Sequence, residues 1–529
     1  MSKKVLVVLT MVIWIFSACH LAGKNLDQNK IYDLPISREN IRANLEFLAS
    51  DALEGRETAS RGEELASLYL RSEMERSGIL PFFGESGYFQ PIDLRIVRFA
   101  DDSKLDLLDK QDALLRSFTC GQDFIGSRFY YPPLDTITSV VFAGYGITAP
   151  EFNYDDYARF SVEKKIVMIC YGEPSSQDSS FFAGEKDSRY SYQGTKVKNA
   201  RDHGAAGIIF LSRMEKTIGW DKMRAYIQKG AMQLKVEVDE DKKTPRTESI
   251  PSITISENTM RTFFAGAKIS FDTLQNALLD HKPLPTFLFD NKIHAVWKFE
   301  NDQIVQGRNV VGLIPGTDPA LKNEYIGIGA HYDHVGMTSD SVYNGADDNA
   351  SGTVAVLEAA RAVAWDHHNK RSILVILHTA EEKGLLGSRY FTRDQGTMDK
   401  MESYINLDMV GGGPADSLYI VGAARINPEL QNITEKVNNS TVGFKFNYRL
   451  NDPNDPERIY YRSDHFNYAR KGIPIVFFTD YFMKDYHTPG DDVEKLNLDK
   501  ITRVAELTYK LALELSNLKE KLKTDKAEP

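Results

Sequence analysis

The chain has 529 residues and a mass of 59.8 kDa, room for roughly two to four domains. Hydrophobic residues at 42% and charged residues at 26% are the proportions of a globular protein. The balance of 64 Lys+Arg against 74 Asp+Glu, a net charge of −10, argues against nucleic-acid binding through broad positive charge, and three cysteines exclude a disulfide scaffold.

The N-terminus reads as a signal peptide over residues 1–18. Lys3 and Lys4 precede an uncharged apolar run, 5–18, shorter than the ~20 residues a membrane span needs. The run ends in Phe16-Ser17-Ala18-Cys19, which resembles a bacterial lipobox with Cys19 as the lipid-bearing residue of a lipoprotein. Phe16 stands where Leu is usual, so plain signal cleavage or an uncleaved anchor stays open. The expected product is exported, and touches a membrane only through that anchor. Whether Cys120 and Cys170 pair is open; Cys170 ends an apolar run and reads as a buried thiol.

Residues 24–36 read as a polar linker. Ser37 then precedes Ile41, Leu45 and Leu48, spaced for a helix. A second helix is expected over 63–77, stopped by Gly78. Short strands follow to about 129, and the Pro-Pro pair at 132–133 marks a boundary. From 137 the pattern is β-rich: strands at 140–143, 165–171, 204–211 and 251–255, a helix at 195–203, and a polar, lysine-rich excursion at 213–250. From 306 strands alternate with helices. Strands are expected at 308–314, 325–330, 372–378, 403–408, 417–421 and 473–479, and helices at 351–364, 384–392, 427–437, 463–471 and 498–520. This alternation predicts an α/β fold, a mixed sheet with helices on both faces.

Five motifs fall at the ends of those strands or on the loops that follow. They are Gly329-Ala330-His331-Tyr332-Asp333-His334, Asn344-Gly345-Ala346-Asp347-Asp348-Asn349, Thr379-Ala380-Glu381-Glu382, Asn406-Leu407-Asp408-Met409 and Tyr486-His487-Thr488-Pro489. In open α/β sheets ligands bind at the carboxyl ends of the strands. Histidines mixed with carboxylates suit zinc, and so many donors suit two ions sharing one carboxylate. Singly, each motif has a plainer reading: a satisfied buried histidine, a helix N-cap at Asp347-Asp348, or a solvated acid pair at Glu381-Glu382. Together they place five polar clusters at successive strand ends, which chance seldom does.

These motifs resemble those of the double-zinc aminopeptidase family, the group that includes glutamate carboxypeptidase II and the transferrin-receptor fold. The resemblance rests on His331-Tyr332-Asp333, Gly345 to Gly352, Glu381 to Ser388, Asn406 to Met409, Ser463-Asp464-His465 and His487-Thr488-Pro489, all in the family's order. It extends to Leu48–Arg56, similar to the family's N-terminal helix region. Residues 132–289 resemble its inserted protease-associated domain, through Phe142 to Gly146 and Lys198 to Gly207. The resemblance implies a zinc-exopeptidase fold whose catalytic domain is discontinuous, 30–131 and 290–520, interrupted by that β-rich insert.

The same resemblance implies roles. His331 and Asp408 would bind one zinc, Glu382 and His487 the other, with Asp348 bridging the two zinc ions and followed by a cis bond to Asn349. The family often has a third Asp where Asn349 stands. Asp333 would accept a hydrogen bond from the free ring nitrogen of His331. Glu381 would act as general base toward the water between the metals, and Tyr460 would stabilise the oxyanion. His334 and His378 read as structural, and Asp464 and His465 as a helix start. The implied activity is removal of N-terminal residues from peptide substrates, with no nucleic-acid partner. A glutaminyl cyclase with one zinc, or an inactive receptor-like binder, are the competing readings. Arg458 and Arg462 are the candidates to hold an anionic substrate.

Overall fold

The computed structural model describes residues 35–522 apart from 85–86, 128–132, 179, 185–186, 212–218, 238–249, 454, 456 and 481–483. The signal and lipid-anchor readings at 1–19 lie outside the described residues. Among the described residues no helix is long and apolar enough to cross a membrane. The chain divides into two compact units, Met1–Pro91 with Gly307–Pro529, and Ile92–Gln306.

The first unit is built on a mixed sheet. Its central strands Ser372–His378, Tyr325–His331, Met401–Leu407 and Ile475–Thr479 lie side by side and parallel. Phe299–Ile314 closes one side antiparallel to Ser372–His378. Ser417–Val421 closes the other, antiparallel to Ile475–Thr479. Successive side chains of a strand point to opposite faces, and Ser372–His378 shows the result. Ile373, Val375 and Leu377 join one core with the helices Arg38–Leu48, Gly352–Asp366 and Leu498–Ser516. Leu374 and Ile376 join the other with Phe391, Tyr404 and Tyr468. Strands covered on both faces read as continuous apolar runs, as Ile373–Leu377 does here. Ser37 caps the first helix, its Oγ accepting from Asn40 N at 3.2 Å, and Ser60 does the same for Arg61–Arg76 through Glu63 N at 3.2 Å.

The second unit has an eight-stranded mixed sheet in the order Leu114–Phe118, Lys104–Leu108, Thr286–Trp297, Leu134–Ala143, Ile166–Cys170, Gly207–Leu211, Ser252–Ile255, Phe124–Gly126. The strands at 104–118 are a hairpin paired with Thr286–Trp297. Residues 104–118 and 290–297 therefore pair within the β-rich sheet, where the sequence had suggested limits at 132 and 289. The expected polar excursion contains a helix, Trp220–Gln228, and a strand, Ala231–Leu234, paired with Leu94 to Val97. Trp220 Nε1 donates to Gly121 O at 3.0 Å and Met223 is buried, so two apolar anchors hold a segment of polar composition. Cys120 and Cys170 are both free.

Candidate metal centre

The strand-end residues of the first unit converge on one buried cluster. His331 ends its strand and is buried. Its Nε2 lies 3.3 Å from Asp348 Oδ1 and 3.4 Å from Asp408 Oδ1. His487 Nε2 lies 3.1 Å from Asp348 Oδ2 and 3.1 Å from Glu382 Oε1. The two oxygens of Asp348 thus face two different histidines. Two groups of candidate ligands result, His331–Asp348–Asp408 and His334–Asp348–Glu382–His487.

The donor set fits zinc, which takes nitrogen and oxygen ligands at about 2.0–2.2 Å; the edge of such a tetrahedron is about 3.3–3.5 Å. The separations of 3.1 to 3.4 Å around Asp348 match it. Electrostatics point the same way. Burial opposes charging of His487, but its contacts with Asp348 and Glu382 outweigh that and push its pKa up to about 10. Crowded carboxylates that draw protons onto histidines are the setting a cation relieves. Glu381 belongs to neither ligand group yet lines the cavity with Asp348 and Asp408. Burial pushes its carboxyl well up; His331 opposes this, and the neighbouring acids Glu382 and Asp408 add to it.

The backbone explains the aim of these side chains. Ala380 (φ 55°), Met409 (φ 57°) and His487 (φ 53°) all occupy the left-handed region, strained for residues with a Cβ and concentrated at functional sites. Each sits beside, or is, a member of the cluster. The Asp348–Asn349 peptide is cis. Asn349 ties that loop to the neighbouring strand end, its Nδ2 donating to Leu407 O at 2.8 Å and its Oδ1 accepting from Met409 N at 3.2 Å. The Asp491 carboxylate accepts from Asp347 N at 2.8 Å and Asp348 N at 3.0 Å.

Two expected details differ. The His331 Nδ1–H donates to the backbone carbonyl of Asp333 at 3.1 Å, while that residue's carboxylate stands 3.8 Å away. Its oxygens are engaged elsewhere, accepting from Thr58 Oγ1 at 2.8 Å and Glu381 N at 3.0 Å. Asp333 therefore anchors the Glu381 backbone, and the carbonyl sets the His331 tautomer so that Nε2 faces the acids. Tyr460 does not line the cavity. The short turn Ile459–Tyr461 sends Ile459 there, and Tyr460 packs into the core with the Arg425 guanidinium 4.2 Å from its ring centre. Among the described residues the tyrosine that lines the cavity is Tyr486. Met409, Ile459 and Phe477 supply apolar lining, and Arg462, Ser463 and Thr479 polar lining. Arg462 is at the cavity; Arg458 lies against the Tyr461 ring.

Sequence reasoning also passed over Arg56. It is buried and donates to the carbonyls of Tyr332 (2.9 Å), Asn344 (2.7 Å), Gly345 (3.0 Å) and Leu48. One guanidinium thus ties the His331 loop, the Asp348 loop and the N-terminal helix. Burial lowers its pKa to about 10 against the pull of Asp491, Asp348 and other acids, and it keeps its charge. His378 is structural, as its sequence setting suggested: Nε2 lies 3.0 Å from Tyr468 Oη, and burial pushes the ring down to about 3.

A mixed α/β sheet with overlapping ligand groups at its strand ends defines a candidate two-metal centre. Residues 309–512 match the model of Peptidase family M28, and residues 136–263 match that of the PA domain. A leucine aminopeptidase 1 of Sclerotinia sclerotiorum is 30% identical over 222 residues, 38% of this chain and 55% of its own length. One from Ajellomyces capsulatus is 29% identical over 255 residues, 42% of this chain and 64% of its own length. The chain thus spans little more than half of these curated relatives. Among solved structures, an aminopeptidase from Aneurinibacillus sp. strain AM-1 aligns over 94% of this chain and 97% of its own, with a TM-score of 0.54 at 18% identity. A zinc aminopeptidase from Bacillus subtilis aligns over 94% and 100%, with a TM-score of 0.52 at 17% identity. These two share the fold.

Proposed function

We propose that this chain is a zinc-dependent aminopeptidase acting on peptides, with two zinc ions sharing Asp348. The observation that carries the reading is the pair of ligand groups meeting at Asp348, with Glu381 beside them and in neither. His331 and Asp408 complete one group, Glu382 and His487 the other. Zinc held there supplies Lewis acidity and brings a water's pKa toward about 7. Glu381 takes the proton of the attacking water and delivers it to the leaving amine; its raised pKa suits a group that must hold that proton in between. The Tyr486 hydroxyl donates to the developing oxyanion, the role Tyr460 was expected to fill. Met409, Ile459 and Phe477 accept an apolar N-terminal side chain, which agrees with relatives named leucine aminopeptidases.

The β-rich unit holds no candidate ligand group among its described residues and serves as an accessory domain. Residues 1–18 are removed as a signal peptide, and Cys19 carries the lipid that tethers the exported enzyme. Cys19→Ser should then move the protein from the membrane to the soluble fraction.

Metal analysis together with a substrate screen tests the activity. Purified protein should hold close to two zinc ions, lose activity reversibly to a chelator, and cleave leucyl substrates faster than acidic dipeptides. An active protein free of metal would overturn the reading.

A further inference from the structure

His334 stands three residues after His331 and has no role in the mechanism above. It is wholly buried, and neither ring nitrogen makes a hydrogen bond among the described residues. A buried imidazole whose nitrogens make no hydrogen bond is costly unless something occupies its lone pair. Nδ1 lies 2.9 Å from Glu382 Oε1, outside hydrogen-bond geometry, and 3.8 Å from Asp348 Oδ2. The ring centre is 5.5 Å from that of His487.

We infer that His334 is a fourth protein ligand of the cation held by Asp348, Glu382 and His487. The inference rests on the two-cation reading. One ligand atom from each of the four residues lies within 4.8 Å of the others, and their contacts of 2.9 to 3.8 Å scatter about the edge of a zinc tetrahedron, about 3.3–3.5 Å. The local backbone is built for this approach. Gly345, at φ +55°, has no Cβ; one there would meet the His334 ring at 2.5 Å and Asp348 O at 2.2 Å. The loop carrying Asp348 therefore lies flat against the imidazole. The main chain fixes the ring from the other side, His334 N donating to Arg56 O at 3.1 Å.

The two ions then differ. One has four protein donors, two nitrogens and two oxygens, a set that closes a zinc tetrahedron. The other has three, His331, Asp348 and Asp408, and keeps a position for water or substrate. Closed sites are structural and open ones catalytic. The four-donor ion is thus the tighter, and the three-donor ion the one that exchanges.

Two measurements on the full chain test this. In a crystal structure of the zinc-loaded protein, a His334 ring nitrogen should lie about 2.0–2.1 Å from one zinc; a distance beyond about 3 Å overturns the inference. In zinc titrations of metal-free protein, His334→Gln should weaken one of the two binding events and leave the other unchanged. The loss should exceed the about 10–100-fold that follows removal of a merely orienting partner. A smaller loss, or equal weakening of both events, overturns the inference, with thermal unfolding of the zinc-free variant showing that it folds. Wild-type protein that takes up no zinc would instead refute the two-cation reading, a distinct result.

Discussion

Both units set parallel strands side by side, and both have a cavity near the ends of those strands, yet the two cavities differ in kind. In the first unit the strands lead into His331, Glu381-Glu382 and Asp408. In the second, Ile166–Cys170, Gly207–Leu211 and Ser252–Ile255 run parallel and end in Cys170, Leu211 and Ile255. The cavity there, of about 150 Å³, is lined by Tyr145, Cys170, Leu211, Met260 and Phe271 among others. Topology makes the crevice, and the residues placed at its rim decide whether it does chemistry. The treatment of buried charge differs too. In the second unit Lys196 donates to Tyr145 O at 2.6 Å, and the Asp156 carboxylate accepts from Tyr145 N and Ile147 N at 3.1 and 3.0 Å. Its charges are satisfied locally. In the first unit the acids outnumber nearby fixed cations, as expected of a site that recruits ions.

The sharpest way to break that contrast is to make the first crevice resemble the second. Asp348→Asn keeps the shape and removes the charge that both ligand groups share. Binding of both cations should fail, and turnover should fall by roughly 10⁴-fold or more, the scale for removing one member of a unit that acts together. Zinc content and kcat measured together check this; a variant with one zinc and substantial activity would show that Asp348 is not shared.

Glu381→Gln should retain zinc and lose roughly 10²–10⁴ in kcat, the usual contribution of general acid–base catalysis. Glu382→Gln should instead lose zinc affinity, with activity partly restored by added zinc. Equal zinc loss in both variants would show that the adjacent acids are not divided into base and ligand. Removing the tyrosine hydroxyl tests the third role. Tyr486→Phe should cost about 10²–10³ in kcat, and Tyr460→Phe, whose ring lies in the core, should leave kcat within a few-fold of wild type. The reverse order would restore Tyr460 as the oxyanion donor.

Lys196→Met probes the other side of the contrast. The change removes the donor to the Tyr145 carbonyl and a positive charge that favours ionised Asp156, and leaving a buried carbonyl unsatisfied costs about 1–3 kcal/mol. Burial already raises the Asp156 pKa to about 7 and lowers that of Lys196 to about 8. Thermal unfolding should shift down while kcat of the folded protein stays unchanged. A fall in kcat at full stability would mean the second unit takes part in the chemistry.

What the sequence made legible follows from where the information lies. The strands 325–331 and 372–378 are continuous apolar runs that end in polar residues, so both the element and its functional end are local features. His331, Asp348, Glu382, Asp408 and His487 could be named because each belongs to such a boundary. The strands at 104–118 could not be assigned to the β-rich unit, because their partner Thr286–Trp297 is some 180 residues away and pairing at that distance leaves no local mark. Tyr486 and Tyr460 both stand near ligand motifs, and only the backbone decides between them. The turn Ile459–Tyr461 points Tyr460 inward. His334 was passed over because its neighbours already filled every role the resemblance supplied, and its lack of a hydrogen-bond partner is visible only in three dimensions.

The last expected effect is on pH dependence rather than on turnover and concerns Glu63, a buried acid of the helix Arg61–Arg76. Its carboxylate accepts from Ala59 N at 2.5 Å and from Thr379 Oγ1, and so ties that helix to the loop before Glu381. Burial, with the Asp333 charge, raises its pKa to about 8, against about 4.3 in an unfolded chain. Between those values the folded state holds a proton that the unfolded state has released, so this group's contribution to stability falls as pH rises from about 4 to 8. Glu63→Gln keeps an oxygen for Ala59 N and does not titrate. Its melting temperature relative to wild type should therefore climb through that interval, by on the order of 10 °C at pH 8, because the difference between those two values amounts to about 4–5 kcal/mol there and about 1 kcal/mol corresponds to about 2–4 °C for a unit of this size. Unfolding curves at pH 5.5, 7 and 8 check it. Parallel curves for the two proteins would mean that Glu63 is ionised at neutral pH in the folded state, stabilised there by a cation that the groups around it do not supply.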